Sequence, residues 1–70
     1  MQALYRTVGR KVRKRRLARG WTQKVLADLA GLHRAHLGEI ERGDINVTLS
    51  TLKVLADALG VTVTDLIDGA

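Results

Sequence analysis

Glycine placement, in a chain of 70 residues without a single proline, constrains this fold more than any other feature. Short runs with apolar residues at helical spacing end at Gly20, Gly31, Gly43 and Gly60, and these runs show no strand-like alternation. Gly31 stands where a chain leaving a helix most often needs a positive φ. The sequence therefore predicts an all-α fold, a compact single domain of five helices over residues 1–70.

Caps and periodicity set the limits of the five predicted helices. In chain order they are about Leu4 to Arg19, a short helix after a Thr22 cap up to Gly31, about Arg34 to Arg42, a helix up to Gly60, and a last short helix with Leu66 and Ile67. Thr48 or Ser50 is expected to cap helix 4, and Thr62 with Asp65 forms a T-x-x-D capping box. The residues expected to be buried are Leu4, Val8, Val12 and Leu17 in helix 1, Val25, Leu26, Leu29 and Ala30 in helix 2, Leu37 and Ile40 in helix 3, and Leu49, Leu52, Leu55, Ala56 and Leu59 in helix 4.

Positive charge is concentrated at one end of the chain. Eight of the twelve Lys and Arg residues lie within residues 1–20, where no acidic residue occurs. From residue 43 onward the sign reverses, because Lys53 is the only base against four aspartates. A one-sided basic surface indicates a polyanionic partner, either nucleic acid or acidic membrane lipid, although a solvated helix without a partner would carry the same charge.

The remaining composition argues against several classes of protein. There is no cysteine and no Cys/His spacing typical of a zinc site, so we expect neither a metal nor a cofactor. No apolar run approaches the roughly 18 to 20 residues that span a bilayer, and the start of the chain lacks the apolar stretch of a secretory signal. We therefore expect a cytoplasmic protein that binds no membrane, and we find no sign of a small-molecule ligand.

The segment from Thr22 to Gly43 carries the most specific pattern. It predicts two short helices joined by a tight turn at Gly31, an arrangement that suits insertion of the second helix into a DNA major groove. The pattern comprises Thr22, Gln23, Leu26, Ala27, Ala30, Gly31, Leu32, Leu37, Ile40, Glu41, Arg42 and Gly43. It closely resembles the phage-repressor and Cro-type (Xre-like) helix-turn-helix family. The resemblance implies a lambda-repressor-like fold in which helices 2 and 3 form the helix-turn-helix.

The resemblance also implies roles in DNA binding. The residues implied to contact base edges are Arg34, Ala35 and Glu39, and those implied to contact backbone phosphates are Gln23, Arg42 and Asn46. Arg34 is suited to donate two hydrogen bonds to guanine, Ala35 to touch a thymine methyl, and Glu39 to accept a hydrogen bond from cytosine. Solvent exposure without base readout is the alternative for these three residues. For Gln23 the alternative is an exposed helix residue, and Arg42 could equally be a favourable charge at the C-terminal end of helix 3.

Arg16 and Glu41 occupy the positions at which the family pairs an arginine late in helix 1 with a glutamate late in helix 3. The implied pair is structural and ties helix 3 to helix 1. A catalytic carboxylate is the competing interpretation of Glu41, and we reject it because no nucleophile or base lies near it in the sequence. We therefore expect no enzyme activity.

A homodimer is expected because one small module buries limited DNA surface, and such readers usually pair on two half-sites of a near-palindromic operator. The acidic C-terminal third should face away from DNA. Its apolar residues Val61, Val63, Leu66 and Ile67 are therefore predicted to form the dimer interface. All four could instead close the core of the subunit.

Compact relatives in this family include controller proteins of restriction–modification systems, phage repressors and antitoxins. The stretch over residues 46–49 somewhat resembles the first group. The main prediction is a sequence-specific transcription regulator that binds double-stranded DNA. An antitoxin-like module, whose principal partner is a toxin, is the second functional hypothesis.

Overall fold

The computed structural model describes residues 2–68, and these form five helices and no strand. In chain order the helices are α1 (Gln2–Ala18), α2 (Gln23–Ala30), α3 (Arg34–Arg42), α4 (Leu49–Leu59) and α5 (Val63–Ile67). The prediction of an all-α, five-helix fold is confirmed. None of the five is long and apolar enough to cross a membrane.

Threonine side chains begin three of these helices. Thr22, Thr48 and Thr62 each have an extended backbone and accept a hydrogen bond from a backbone N–H three residues further on. Thr48 rather than Ser50 is thus the cap of α4. His33 stands at the equivalent position before α3 and makes no side-chain cap.

The core is formed where α1 packs on α3 and α5 and where α2 packs on α4. Its buried apolar residues are Val8, Val12, Leu26, Ala27, Ala30, Leu37, Ile40, Leu52, Leu55, Ala56, Leu59 and Leu66. Leu37 and Ile40 hold α3 by one side only. The opposite side of α3 is left for contacts outside the subunit.

Five apolar residues that were predicted to be buried are exposed instead. They are Leu4, Leu17, Val25, Leu29 and Leu49. The buried row of α1 is Val8, Val12 and Arg16 at four-residue spacing. Each four-residue step turns the row about 40° around the helix, so Leu4, one step before Val8, lies off the buried face. Leu17 lies one residue after Arg16, about 100° away around the helix.

The buried face of α2 is also narrower than its apolar sequence. Val25 and Leu29 lie one position before the buried Leu26 and Ala30, about 100° away around the helix. Leu49 is the most exposed of the large apolar residues, in the first turn of α4. Periodicity therefore identified these helices but set the phase of two of them incorrectly.

Leu66 corrects the predicted dimer interface. Its side chain is fully buried, because α5 packs on both α1 and α4 and Leu66 occupies the inner face of this five-residue helix. The assignment of Leu66 to an interface between subunits is therefore wrong. Val61 and Val63 are half-buried against the core, and Ile67 is exposed.

Gly9 brings the backbones of α1 and α3 into direct contact. A Cβ atom at this position would lie 2.6 Å from the carbonyl oxygen of Glu41 and would also clash with that of Ile40. Only a residue without a side chain allows this approach. The last turn of α3 is therefore seated on α1 without intervening side chains.

Candidate nucleic-acid interface

The outer side of α3 forms an open cleft of about 480 Å³ with the start of α2. Arg34 and Ala35 are exposed and Glu39 is half-buried. The residues that line the cleft are Gln23, Arg34, Ala35, Gly38, Glu39 and Arg42. The structure thus brings together the three predicted base-contacting residues and two of the three predicted phosphate-contacting residues.

Gly38 also lines this cleft, although no site role was predicted for it. It lies on the same row of α3 as Ala35, Glu39 and Arg42, at positions i, i+3, i+4 and i+7. A Cβ atom here would lie 3.3 Å from the Arg42 guanidinium and 3.7 Å from the Gln23 amide oxygen. The missing side chain keeps the middle of the cleft open. The row spacing along the helix was the signal that could have identified it.

A buried ion pair fixes the last turn of α3 to α1. Arg16 Nε donates to Glu41 Oε2 at 2.7 Å, and Arg16 Nη2 donates to Glu41 Oε1 at 2.9 Å. Both side chains are less than a tenth exposed. Hydrogen bonding to Glu41 raises the pKa of Arg16 above its ordinary value and outweighs the opposing effect of burial. Arg16 Nη1 also donates to the carbonyl oxygen of Trp21 at 2.8 Å, which includes the turn before α2 in the same network.

Gln23 extends this network to the exposed surface. Its Nε2 donates to Glu41 Oε1 at 3.1 Å, and its Oε1 accepts from Arg34 Nη1 at 3.3 Å. A carboxylate only accepts hydrogen bonds, so Glu41 requires the amide nitrogen of Gln23 on its side and leaves the amide oxygen toward Arg34. The amide nitrogen carries a second N–H that remains suited to a phosphate oxygen. Hydrogen bonds thus connect a predicted base-contacting side chain to the buried pair.

Arg42 and Asn46 lie at the other end of α3, beside the first turns of α1. Arg42 Nε donates to Asp44 Oδ2 at 2.8 Å, and both side chains are more than half exposed. The second cleft here, of about 330 Å³, is lined by Tyr5, Arg6, Arg42, Gly43, Asp44 and Asn46. Tyr5 and Arg6 were not predicted as site residues, because nothing local in the sequence links α1 to the loop after α3.

Most of the basic residues of α1 lie elsewhere. Arg10 and Lys14 line a shallow depression on the outer side of α1, together with Thr7 and Lys11. None of these four residues lines either cleft beside α3. Most of the positive charge of residues 1–20 therefore lies outside the two clefts beside α3.

Comparison with known proteins identifies this arrangement. A family model described as helix-turn-helix matches residues 12–66, from the middle of α1 to α5. The chain belongs to the helix-turn-helix family. The resemblance seen in the segment from Thr22 to Gly43 is therefore confirmed.

Similar helix-turn-helix proteins include a control protein, a repressor and a controller protein of known structure. The control protein C.SmaI of Serratia marcescens is 46% identical over 56 residues, which cover 80% of this chain and 67% of that protein. The immunity repressor protein of Bacillus phage phi105 is 43% identical over 61 residues, 87% of this chain but 42% of the repressor. The structure of the restriction-modification controller protein C.AhdI from Aeromonas hydrophila matches with a TM-score of 0.88 and 39% identity, over 91% of this chain and 97% of that chain.

Proposed function

We propose that this chain is a transcription regulator that binds double-stranded DNA with α3 in the major groove and recognises a near-palindromic operator as a homodimer. The observation that carries the proposal is the two-sided character of α3. One side is fixed by Leu37, Ile40 and the buried Glu41, while Arg34, Ala35 and Glu39 face outward. The names of the similar proteins, a control protein, a repressor and a controller protein, agree with this function.

Base readout is assigned to the first two turns of α3. Arg34 donates to guanine O6 and N7, which contributes about 1–3 kcal/mol of discrimination against other bases. Ala35 contacts a thymine methyl and Glu39 accepts from cytosine N4. The hydrogen bond to Gln23 supports this assignment of Arg34, since it restricts a long side chain before DNA arrives.

Phosphate contacts are assigned to Gln23 and Arg42, which line the outer cleft, and to Asn46, which lines the second cleft together with Arg42. Contacts of this kind set the register of the helix in the groove and carry little sequence information. Gln23 and Arg42 share the outer cleft with Arg34, Ala35 and Glu39, and Arg42 continues to Asn46, which supports the assignment.

Dimerisation is assigned to the surface formed by the exposed sides of α4 and α5. Val61, Val63 and Ile67 remain from the predicted set, and the exposed Val54 of α4 joins them. The subunit measures 27 × 21 × 20 Å. Two subunits of this size are small enough to lie side by side on half-sites whose centres are roughly 34 Å apart, one turn of DNA.

Selection of binding sites from random duplex DNA tests the proposal. We expect two inverted half-sites and an affinity that falls steeply between about 50 and 200 mM salt. Arg34→Ala should relax the preference at one base pair of each half-site, while Arg10→Ala, on the outer side of α1, serves as the matched control and should leave every preference unchanged. Selection that enriches no sequence would contradict the proposal.

A further inference from the structure

The cleft between α1 and the loop after α3 has its own architecture. Gly43, the C-cap of α3, has a φ of 74°, and a Cβ atom there would lie 2.7 Å from Arg6 Cγ and 2.8 Å from Arg6 Cα. The backbone of the turn therefore rests directly on the second turn of α1. This contact fixes the stem of Arg6 at the rim of the cleft, across from Arg42 and Asn46.

The side chains of this cleft form a donor set suited to phosphate. Two guanidinium groups, from Arg6 and Arg42, accompany the phenol of Tyr5 and the amide of Asn46. Charge-assisted hydrogen bonds from arginine are the strongest that a phosphate oxygen receives from a protein. The single acidic group is Asp44, and it is already bonded to Arg42 Nε.

Arg42 indicates that a phosphate in this cleft would belong to the DNA that α3 reads, because the Arg42 side chain lines both this cleft and the outer cleft of α3. A DNA strand that borders the major groove filled by α3 would therefore pass this cleft within the reach of one side chain. A free phosphate or a second duplex would not need that continuity.

We propose that this cleft is a second backbone-binding site, in which Tyr5 and Arg6 of α1 bind a phosphodiester of the same duplex that α3 reads, together with Arg42 and Asn46. Asp44 holds Arg42 in the absence of DNA and is displaced when the phosphate arrives. The inference rests on the proposed function. It extends the DNA footprint to α1 through two residues on one side of that helix, rather than through its basic residues in general.

Arg6→Gln and Arg10→Gln form the decisive pair of variants. Both remove one positive charge from α1, but only Arg6 lines the cleft, and Gln retains the Cγ atom that packs on Gly43. Affinity is measured for the selected operator and for random duplex over a series of salt concentrations. In the proposed homodimer Arg6→Gln removes one phosphate contact from each subunit, so it should reduce the log–log salt slope by about 1.8 and weaken both duplexes about thirtyfold near 0.15 M salt, whereas Arg10→Gln should leave the slope unchanged.

Two further variants test the neighbouring residues without changing the α1 charge. Tyr5→Phe removes only the hydroxyl and should weaken both duplexes by about twofold to tenfold. Asp44→Asn should strengthen both by about twofold to fivefold, and this gain should disappear when Arg42 is replaced by Gln. A gain that persists without Arg42 would overturn the role given to Asp44.

The outcomes separate this inference from the proposed function. If the wild-type protein selects an operator but Arg6→Gln and Arg10→Gln both keep the wild-type salt slope, the cleft is not a phosphate site while the regulator function stands. If both variants lower the slope equally, the effect of α1 is a general field and the inference fails. If the wild type enriches no duplex, the proposed function itself is wrong. Melting temperatures identify variants that are not folded. If Arg6→Gln is one of them, the affinity of Tyr5→Phe tests the cleft in its place, and unchanged binding would overturn the inference.

Discussion

The start and the end of α3 are held in different ways, and the difference follows their roles. At the start, His33 makes no side-chain cap, and Arg34 is exposed with only a 3.3 Å hydrogen bond to Gln23. At the end, Glu41 is buried in an ion pair with Arg16, and the backbone touches Gly9. Under the proposed function, the end of α3 that is fixed to α1 sets the direction of the helix. The exposed end carries Arg34, which is proposed to contact bases.

The largest effect is expected from removing one partner of the buried pair. Arg16→Met leaves the Glu41 carboxylate buried without its guanidinium and should lower the free energy of unfolding by about 3–5 kcal/mol. Urea denaturation measures this loss. Arg13→Met, an exposed position one turn earlier in α1, is the control and should change the value by no more than about 0.5 kcal/mol.

A double variant sharpens this first prediction. Arg16→Met combined with Glu41→Leu leaves no buried charge and should recover most of the stability that the single change loses. Equal stability of the two single variants, Arg16→Met and Arg13→Met, would show that the pair does not hold the end of α3.

The next effect concerns the backbone contact between α1 and α3. Gly9→Ala places a methyl group against carbonyl oxygens that cannot move independently, and should cost about 3 kcal/mol, the upper part of the usual range for overpacking. Gly38→Ala meets only side-chain atoms, the Arg42 guanidinium at 3.3 Å and the Gln23 amide oxygen at 3.7 Å, and gains up to about 1 kcal/mol of helix propensity. Thermal unfolding of both variants compares the two glycines. If Gly9→Ala were as stable as Gly38→Ala, the backbone contact at Gly9 would not be what holds α3 against α1.

A smaller effect is expected at the uncapped start of α3. His33→Ser supplies an oxygen for a backbone N–H and should raise the free energy of unfolding by about 1 kcal/mol. Thr22→Ala removes the corresponding cap of α2 and should lower it by a similar amount. If His33→Ser is neutral or destabilising, the start of α3 is held by interactions other than a cap.

The smallest effect depends on pH and shows what a fully capped helix start contributes. Thr62 and Asp65 form the predicted capping box of α5, and hydrogen bonds from the Thr62 backbone and hydroxyl hold the pKa of Asp65 below its ordinary value of 3.8. A lowered folded-state pKa means that the contribution is fully present above pH 3.8 and is lost as the pH falls through the folded-state value. The wild type should therefore melt slightly above Asp65→Asn near neutral pH, and the two melting temperatures should converge in strong acid. A difference that does not change with pH would contradict the assignment.

Much of the fold was predictable because helix caps depend on residues within a few positions of each helix end. The limits of α3 agree with the prediction at both ends, since Gly43 follows the last helical residue and His33 precedes the first. The phase of α1 was not predictable from apolar spacing, because Gly9 and Arg16 lie on its buried face and the leucines of that helix do not. A small residue and a charged residue give no hydrophobic signal.

The candidate site was predictable only where the family pattern is continuous. Five residues of the segment from Thr22 to Gly43 for which the family implies a DNA contact line the outer cleft together, namely Gln23, Arg34, Ala35, Glu39 and Arg42. The hydrogen bonds of Gln23 join α2 to both ends of α3, and the cleft at Arg6 joins α1 to a loop more than thirty residues later. Both arrangements bring together residues that are far apart in the chain, and such contacts produce no recognisable spacing pattern in a single sequence.

Ala35 and Glu39 form no side-chain hydrogen bond within the described part of the subunit, unlike Gln23 and Arg34 beside them. Exchange of such residues normally alters folding stability by less than about 0.5 kcal/mol. Under the proposed function, these two positions can therefore change the operator preference without rebuilding the interior, so descendants of one scaffold can recognise separate operators.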